Sequence, residues 1–317
     1  MYLSDIKRDD RFEGYLIVRS AEQRASANGK NYLDMTLADK SGSINAKMWD
    51  GTVQPPLAVT LGSIVKVRAT GNEFNGRMQL RVEKIRAAES RDQVDMSALI
   101  PCAPRDPNEM LGEVVRAADH IADPDLRRIT CELLDRAGDK LLTFPAAKQM
   151  HHAERSGLLH HTTTMLRAAN AIMSVYPQLN ASLLIAGVIV HDLAKIDEMD
   201  ADTLGLVSDY SMDGKLIGHI VRGVVNIQLA AEKTKANPGK ALLLQHMVLS
   251  HHGIPEYGSP LAPKFPEAEV LNTIDTLDAR LYEMDEALSR AIPGGFSEKV
   301  WGLDNRQLYR IPEDEVK

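Results

Sequence analysis

Histidine and aspartate recur through the second half of this chain at His161, His191-Asp192, His219, His251-His252 and Asp275, at intervals of 30, 27, 32 and 23 residues. Each interval is long enough for one helix and a return turn, so these side chains could meet at one end of a helical bundle. Imidazole and carboxylate without thiolate suit hard to borderline divalent cations such as Mn, Fe, Co or Zn. Taken singly, a His or Asp is more often a cap, a surface group or a hydrogen-bonded core residue. The pair His191-Asp192 stands apart because it closes the run Ala181 to Val190, which is apolar nearly all round and therefore reads as buried. Two ionisable groups ending a buried helix need a strong partner.

Helices must position them. A 3.6-residue apolar period predicts helices over about Asn108 to Ile121, Pro124 to Ala137, Leu158 to Val175, Ala181 to Lys195, Ile217 to Ala236, Pro238 to Ser250 and Pro266 to Ala291. Upstream the period is two. Phe12 to Ser20, Asn31 to Leu37, Ser43 to Trp49, Ile64 to Thr70 and Met78 to Ile85 read as five strands, with turn signals at Asn28-Gly29, Asp39 to Gly42 and Asn75-Gly76. Five short strands in so little chain favour a small closed barrel of the oligonucleotide-binding (OB) kind. Glu89 to Pro107 is polar and interrupted by Pro101, Pro104 and Pro107, which marks a linker or strap. The expected organisation is an all-β five-stranded OB barrel over 1–88, a linker over 89–107 and a mostly α-helical bundle over 108–317.

At 317 residues two cores are the default. The net charge of -7 argues against a generic basic nucleic-acid binder, but residues 1–88 hold 14 Lys and Arg against 10 Asp and Glu, leaving the acidic excess to the remainder. Cys102 and Cys131, with no CxxC, argue against a disulfide framework or a thiolate zinc site. The opening Met-Tyr-Leu-Ser-Asp lacks a basic stretch leading into an apolar run, and no segment has about 18 unbroken apolar residues. A cytoplasmic chain without a membrane partner is expected.

His161, His191-Asp-Leu-Ala-Lys195 and Asp275 resemble the H…HD…D signature of the HD-domain metal-dependent phosphohydrolases, and His219 with His251-His252 is similar to the extra ligands of two-metal members. The stretches Gly157-Leu-Leu-His-His-Thr162, Tyr210 to Ile220, and His251-His-Gly-Ile-Pro-Glu-Tyr-Gly-Ser-Pro260 through Pro266-Glu-Ala268 to Ile274-Asp-Thr-Leu-Asp-Ala279 resemble the YhaM family of 3'→5' exoribonucleases, which joins an OB domain to an HD domain. The likeness covers almost the whole chain. That family usually has Gly-Gly-Leu-Leu-Glu-His-Thr where this chain has Ser156-Gly-Leu-Leu-His-His-Thr162, so His160 replaces an acidic residue beside the first ligand; position in the motif favours His161 over His160.

The resemblance implies one cation on His161, His191, Asp192 and Asp275, with Asp192 bridging to a second on His219 and His251, and His252 either ligating or lying just behind. Mn is favoured, with Fe, Co, Zn, Ni and Mg as alternatives. Such an ion pair activates water and steadies the attacking and leaving oxygens of an in-line displacement, so no Ser or Cys nucleophile is needed. Lys195 either neutralises a helix end or, as the family match favours, faces phosphate oxygens beside Asp192. Arg222 and the His151-His152 pair are candidates for the substrate pocket, and the Gly253 to Pro266 loop, with Tyr257, for its entrance. On the barrel, Tyr32, Trp49 and Phe74 offer faces for bases, interleaved with Lys30, Lys47, Arg77 and Arg81 for the backbone. Trp49 could lie on either strand face. The expected partner is single-stranded RNA, with single-stranded DNA open, and the family implies homo-oligomeric assembly although no heptad seam is visible. Two further readings are a phosphohydrolase of free or cyclic nucleotides with a regulatory OB domain, and a nucleic-acid-binding module without catalysis.

Overall fold

The computed structural model describes residues 1–26, 29–49, 59–74, 76–148 and 152–312; the turn residues Asn28 and Asn75, and His151, lie outside them. The chain separates into two compact units, Met1–Cys102 and Ala103–Lys317.

Strands β1 (Arg11–Ala25), β2 (Asn31–Asp39), β3 (Gly42–Met48), β4 (Ile64–Phe74) and β5 (Arg77–Ala87) make the first unit. They close into a barrel in the order β1-β2-β3-β5-β4, with β3 and β5 parallel. Every second residue faces inward. Leu33, Met35 and Leu37 of β2, Ile44 and Ala46 of β3, Val65 and Val67 of β4, and Leu80 and Val82 of β5 pack with Leu16 and Val18 of β1. The first strand is longer than its sequence pattern suggests. A bulge between Val18 and Ser20 bends β1, so that its first half pairs with β4 and its second half with β2. Part of the expected linker belongs to this unit. Arg86 donates to both carboxylate oxygens of Asp92, at 2.6 and 2.8 Å, and Leu99 and Ile100 are buried.

The second unit runs through α1 (Pro107–Asp119), α2 (Pro124–Ala137), α3 (Gly157–Val175), α4 (Ala181–Val190), α5 (Lys195–Glu198), a hairpin of β6 (Met199–Ala201) and β7 (Val207–Tyr210), α6 (Met212–Leu216), α7 (Gly218–Thr234), α8 (Pro238–Ser250) and α9 (Pro266–Ser289). Proline opens α1, α2 and α8 behind the caps Asp106, Asp123 and Asn237, each of which accepts from the first-turn backbone. The core joins Leu184, Val188 and Ile189 of α4 to Leu158 and Met165 of α3, Leu244 and Met247 of α8, and Leu271 and Ile274 of α9.

Two helix approaches set the site. A Cβ at Gly187 of α4 would lie 2.3 Å from Met247 Cε of α8, and one at Gly223 of α7 would lie 2.9 Å from Val248 Cγ1. Gly187 and Met247 each lie four residues before a histidine, His191 and His251, so the close crossing is carried straight to those two side chains.

The predicted single helix from Ala181 to Lys195 is broken. Its ladder ends at Val190, and the next bonds, Leu193 N–H to the Val190 carbonyl and Lys195 N–H to that of Asp192, span three residues. The tighter turn aims Asp192 inward and pairs Lys195 with Asp192. The β6–β7 hairpin and the strap after α9, with bridges Phe296–Tyr309 and Val300–Arg306, carry too few residues for their periodicity to declare them. Among the described residues no helix is long and apolar enough to cross a membrane.

Candidate metal centre and nucleic-acid face

Five helical segments bring the histidines and aspartates together. His161 comes from α3, the His191-Asp192 pair from the turn after α4, His219 from the first turn of α7, His251-His252 from the end of α8 and Asp275 from α9. His161, His191 and His251 are fully buried, Asp192 is 2% exposed and Asp275 8%.

The atoms sort into two groups around Asp192. His161 Nε2 lies 3.2 Å from His191 Nε2, 3.2 Å from Asp275 Oδ1 and 3.8 Å from Asp192 Oδ2, and His191 Nε2 is 3.4 Å from that same Asp192 oxygen. The other oxygen, Asp192 Oδ1, is 3.5 Å from His219 Nε2 and 3.7 Å from His251 Nε2. His252 shares one cluster of ligand-type atoms with His219 and His251. His160 lies outside both groups, with its Nδ1 2.8 Å from Glu154 Oε1, so His161 is the member that reaches the centre.

The outer nitrogens are already occupied. His161 Nδ1 is 2.6 Å from Asp278 Oδ2, His191 Nδ1 2.9 Å from the Val188 carbonyl, His219 Nδ1 3.0 Å from Glu198 Oε1, His251 Nδ1 2.6 Å from the Val248 carbonyl and His252 Nδ1 2.6 Å from the Tyr257 carbonyl. Since all five partners are acceptors, each Nδ1 carries a proton and each Nε2 is the nitrogen turned inward, free to ligate once it carries none. Asp192 Oδ1, His219 Nε2 and His251 Nε2 are buried without a hydrogen-bond partner among the described residues. A cation would satisfy the three unpartnered atoms around Asp192 Oδ1 and the inward nitrogens of His161 and His191, 3.2 Å apart. The donor set therefore fits divalent cations, with Asp192 presenting one oxygen to each group.

Burial opposes the charged forms of Asp192, Asp275, His252 and His161, and the neighbours decide the outcome. For Asp192 burial is outweighed by Lys195 and His191, which hold its carboxyl well below the usual range. For Asp275 the His161 imidazole does the same. Burial, then the adjacent His251, pushes His252 down to about 3, leaving the neutral ring that ligates metals. His161 goes the other way: burial lowers it, but Asp275 and Asp278 outweigh burial and raise it to about 9, so a cation entering there displaces a proton.

Of the remaining pocket residues, His152 is placed differently from expectation. Lys195 is buried with its ammonium 2.7 Å from Asp192 Oδ2. His152, expected to line the substrate pocket, is only 1% exposed and reaches Asp278 through Nε2 at 2.9 Å, so it stands behind His161 and not at a surface. Arg222 is held by Asp213, with its Nε buried and unpartnered among the described residues. Tyr257 is 67% exposed, and its carbonyl orients His252. Sequence reasoning missed Asp278 and Glu198. Asp278 follows Asp275 by three residues on a helix, a same-face spacing that could have exposed it; nothing in the pattern marks Glu198.

On the barrel, strand register carries the aromatic set. Leu33 pairs with Met48, which places Tyr32 beside Trp49, and the rings stack with centroids 4.5 Å apart and planes at 24°. Lys47 Nζ lies 5.3 Å from the Tyr32 centroid and 5.8 Å from that of Phe74, and Phe74 pairs with Arg77 across the β4–β5 turn. Lys47 is also in register with Arg81 of β5. Trp49 and Phe74 are 46% and 59% exposed, so both are outside the core. Lys30 is exposed, and its backbone closes the β1–β2 turn against Ser26.

An HD-domain family model matches residues 158–280, spanning His161 to Asp278. The chain is 39% identical over 296 residues to a protein of Bacillus licheniformis named 3'-5' exoribonuclease YhaM, covering 93% of each sequence. A Geobacillus protein of the same name is also 39% identical, over 93% of this chain and 90% of its own. Among solved structures, the second OB-fold domain of replication protein A from Methanococcus maripaludis is 17% identical over 29% of this chain and 98% of its own, with a TM-score of 0.25, too slight a likeness to argue from.

Proposed function

The chain belongs to the YhaM family of 3'→5' exoribonucleases, and from that membership we propose how this metal-dependent enzyme divides the work between its two units. His161, His191, Asp192 and Asp275 are assigned to one divalent cation, and Asp192, His219, His251 and His252 to a second, with Mn the favoured ion. Cations held there supply Lewis acidity and a water acidified to a pKa of about 7. The observation that carries the assignment is the convergence of three buried, unpartnered acceptors, Asp192 Oδ1, His219 Nε2 and His251 Nε2, on a single point.

The protein's own residues then do the rest. Glu198, Asp278 and the carbonyls of Val188, Val248 and Tyr257 hold the five imidazoles in one tautomer, so no reorientation accompanies the reaction. Lys195 balances Asp192 and keeps N–H donors for the non-bridging phosphate oxygens. Arg222, one turn after His219 and anchored by Asp213, adds a positive charge for the phosphate. Hydrolysis of the terminal phosphodiester breaks the bond to the 3'-oxygen of the preceding nucleotide and releases nucleoside 5'-monophosphates. The barrel holds the single strand: Tyr32, Trp49 and Phe74 stack bases, and Lys47, Arg77 and Arg81 follow the backbone. Stacking tolerates either sugar, so single-stranded DNA is bound as well.

To test this, the purified full chain with Mn is given 3'- or 5'-labelled single-stranded RNA, single-stranded DNA, duplex and cyclic dinucleotide. Stepwise loss from the 3' end, abolished in Asp192→Ala, is expected. Turnover confined to the small nucleotides would overturn the reading in favour of a nucleotide phosphohydrolase.

A further inference from the structure

Beside the metal centre lies a second group of ligand-type residues, His152, Glu154 and His160, joined through His152 to Asp278 and His161. The two groups differ in how their polar atoms are satisfied. In the centre, buried acceptors face one another unpartnered. In the second group they answer each other. Asp278 Oδ2 accepts from His161 Nδ1 at 2.6 Å and from His152 Nε2 at 2.9 Å. That leaves His152 Nδ1 as an acceptor, 3.2 Å from His160 Nδ1. His160 Nδ1–H in turn faces Glu154 Oε1 at 2.8 Å, and Tyr282 donates its hydroxyl to Glu154 Oε2 at 3.1 Å. Each contact therefore has its own donor and acceptor, with the His160 Nδ1–H shared between Glu154 Oε1 and His152 Nδ1, and no cation is required.

The backbone is bent to make this possible. His152 has a positive φ of 53° and Ser156 one of 64°, both costly for residues with a side chain. A Cβ at Gly157 would meet the His152 carbonyl at 2.0 Å, so the loop passes directly under the first turn of α3, which carries His160 and His161. Such strain persists only where its surroundings impose it.

We propose that Asp278, His152, His160, Glu154 and Tyr282 form a positioning network that locks His161 in its Nδ1–H tautomer and aims its Nε2 into the metal centre, and that this second group is not itself a cation site. The inference rests on His161 being a metal ligand. His160 is tied to the network by its contact with Glu154.

The test is Mn binding to the full-length chain, followed by titration calorimetry and by the Mn resonance signal, alongside thermal melting in chelator and steady-state kinetics on single-stranded RNA. Asp278→Asn is expected to weaken one class of bound Mn by about 10–100-fold, leave the other class in place and lower kcat with KM unchanged. Tyr282→Phe, which removes one hydroxyl at the far end, is expected to shift the same class in the same direction by a few-fold while melting as the wild type does. In ¹⁵N spectra of the imidazoles, the His161 signal should lose its fixed Nδ1–H pattern in Asp278→Asn. Unchanged Mn affinity in Asp278→Asn and Tyr282→Phe would overturn the proposal, as would selective loss of an additional Mn equivalent in His160→Gln. Wild-type protein that bound no Mn would instead sink the ligand assignment on which the proposal stands.

Discussion

The metal centre and the aromatic face of the barrel solve opposite problems. The centre draws its side chains from five helical segments far apart in sequence, buries them and fixes each ring from behind. The barrel face uses neighbours on adjoining strands, leaves Trp49 and Phe74 about half exposed and relies on ring stacking and one lysine between rings. A buried polar site has a single satisfied arrangement, so loss of one member leaves its partners uncompensated. A solvent-facing platform loses only the contact that is removed.

That contrast can be broken in several ways. The largest effect is expected from Asp192→Ala, which empties the bridge between the two groups: kcat should fall about a thousandfold or more, roughly 4 kcal/mol of transition-state stabilisation, in a labelled-RNA assay. If Asp192→Ala turned over RNA within tenfold of wild type, the buried centre would not be where hydrolysis occurs. Chelation should come next. Metal at about a hundred times its Kd contributes about 2.7 kcal/mol to folding, so removing it should lower the melting temperature of the helical unit and leave the barrel's transition in place. Trp49→Ala should cost about 1–3 kcal/mol of strand binding, seen as a rise of about tenfold in KM with kcat retained. A fall in kcat without a change in KM would erase the distinction between the two regions. The smallest change is expected from Lys47→Gln, which should reduce the slope of log affinity against log salt by about 0.7 and barely alter binding at high salt.

That the scattered histidines and aspartates converge was legible because chemistry constrains them twice, by residue type and by the helix-length interval between them. The alternating strands were legible for the same reason: Leu33, Met35 and Leu37 face the core while Tyr32 does not. What escaped was whatever acts at second hand. Asp278 and Glu198 never point into the centre; they work through the far nitrogens of His161 and His219, and an acidic residue in a helix ordinarily reads as a solvated face. The break after Val190 escaped because Leu193, Ala194 and Ile196 continue a helical pattern, and only the inward pull on Asp192 ends it. His152 was placed at the pocket by its neighbourhood in sequence, whereas burial sets it behind His161.

Trp49 stacks on Tyr32 at the surface of the first unit, and the chain's other tryptophan, Trp301, is 77% exposed in the second. Each unit therefore carries its own emitter. With Trp301→Phe the tryptophan fluorescence that remains comes from the barrel alone, and a base settling on the indole would quench it. Occupancy of the platform can thus be watched optically while hydrolysis is withheld by leaving out the metal.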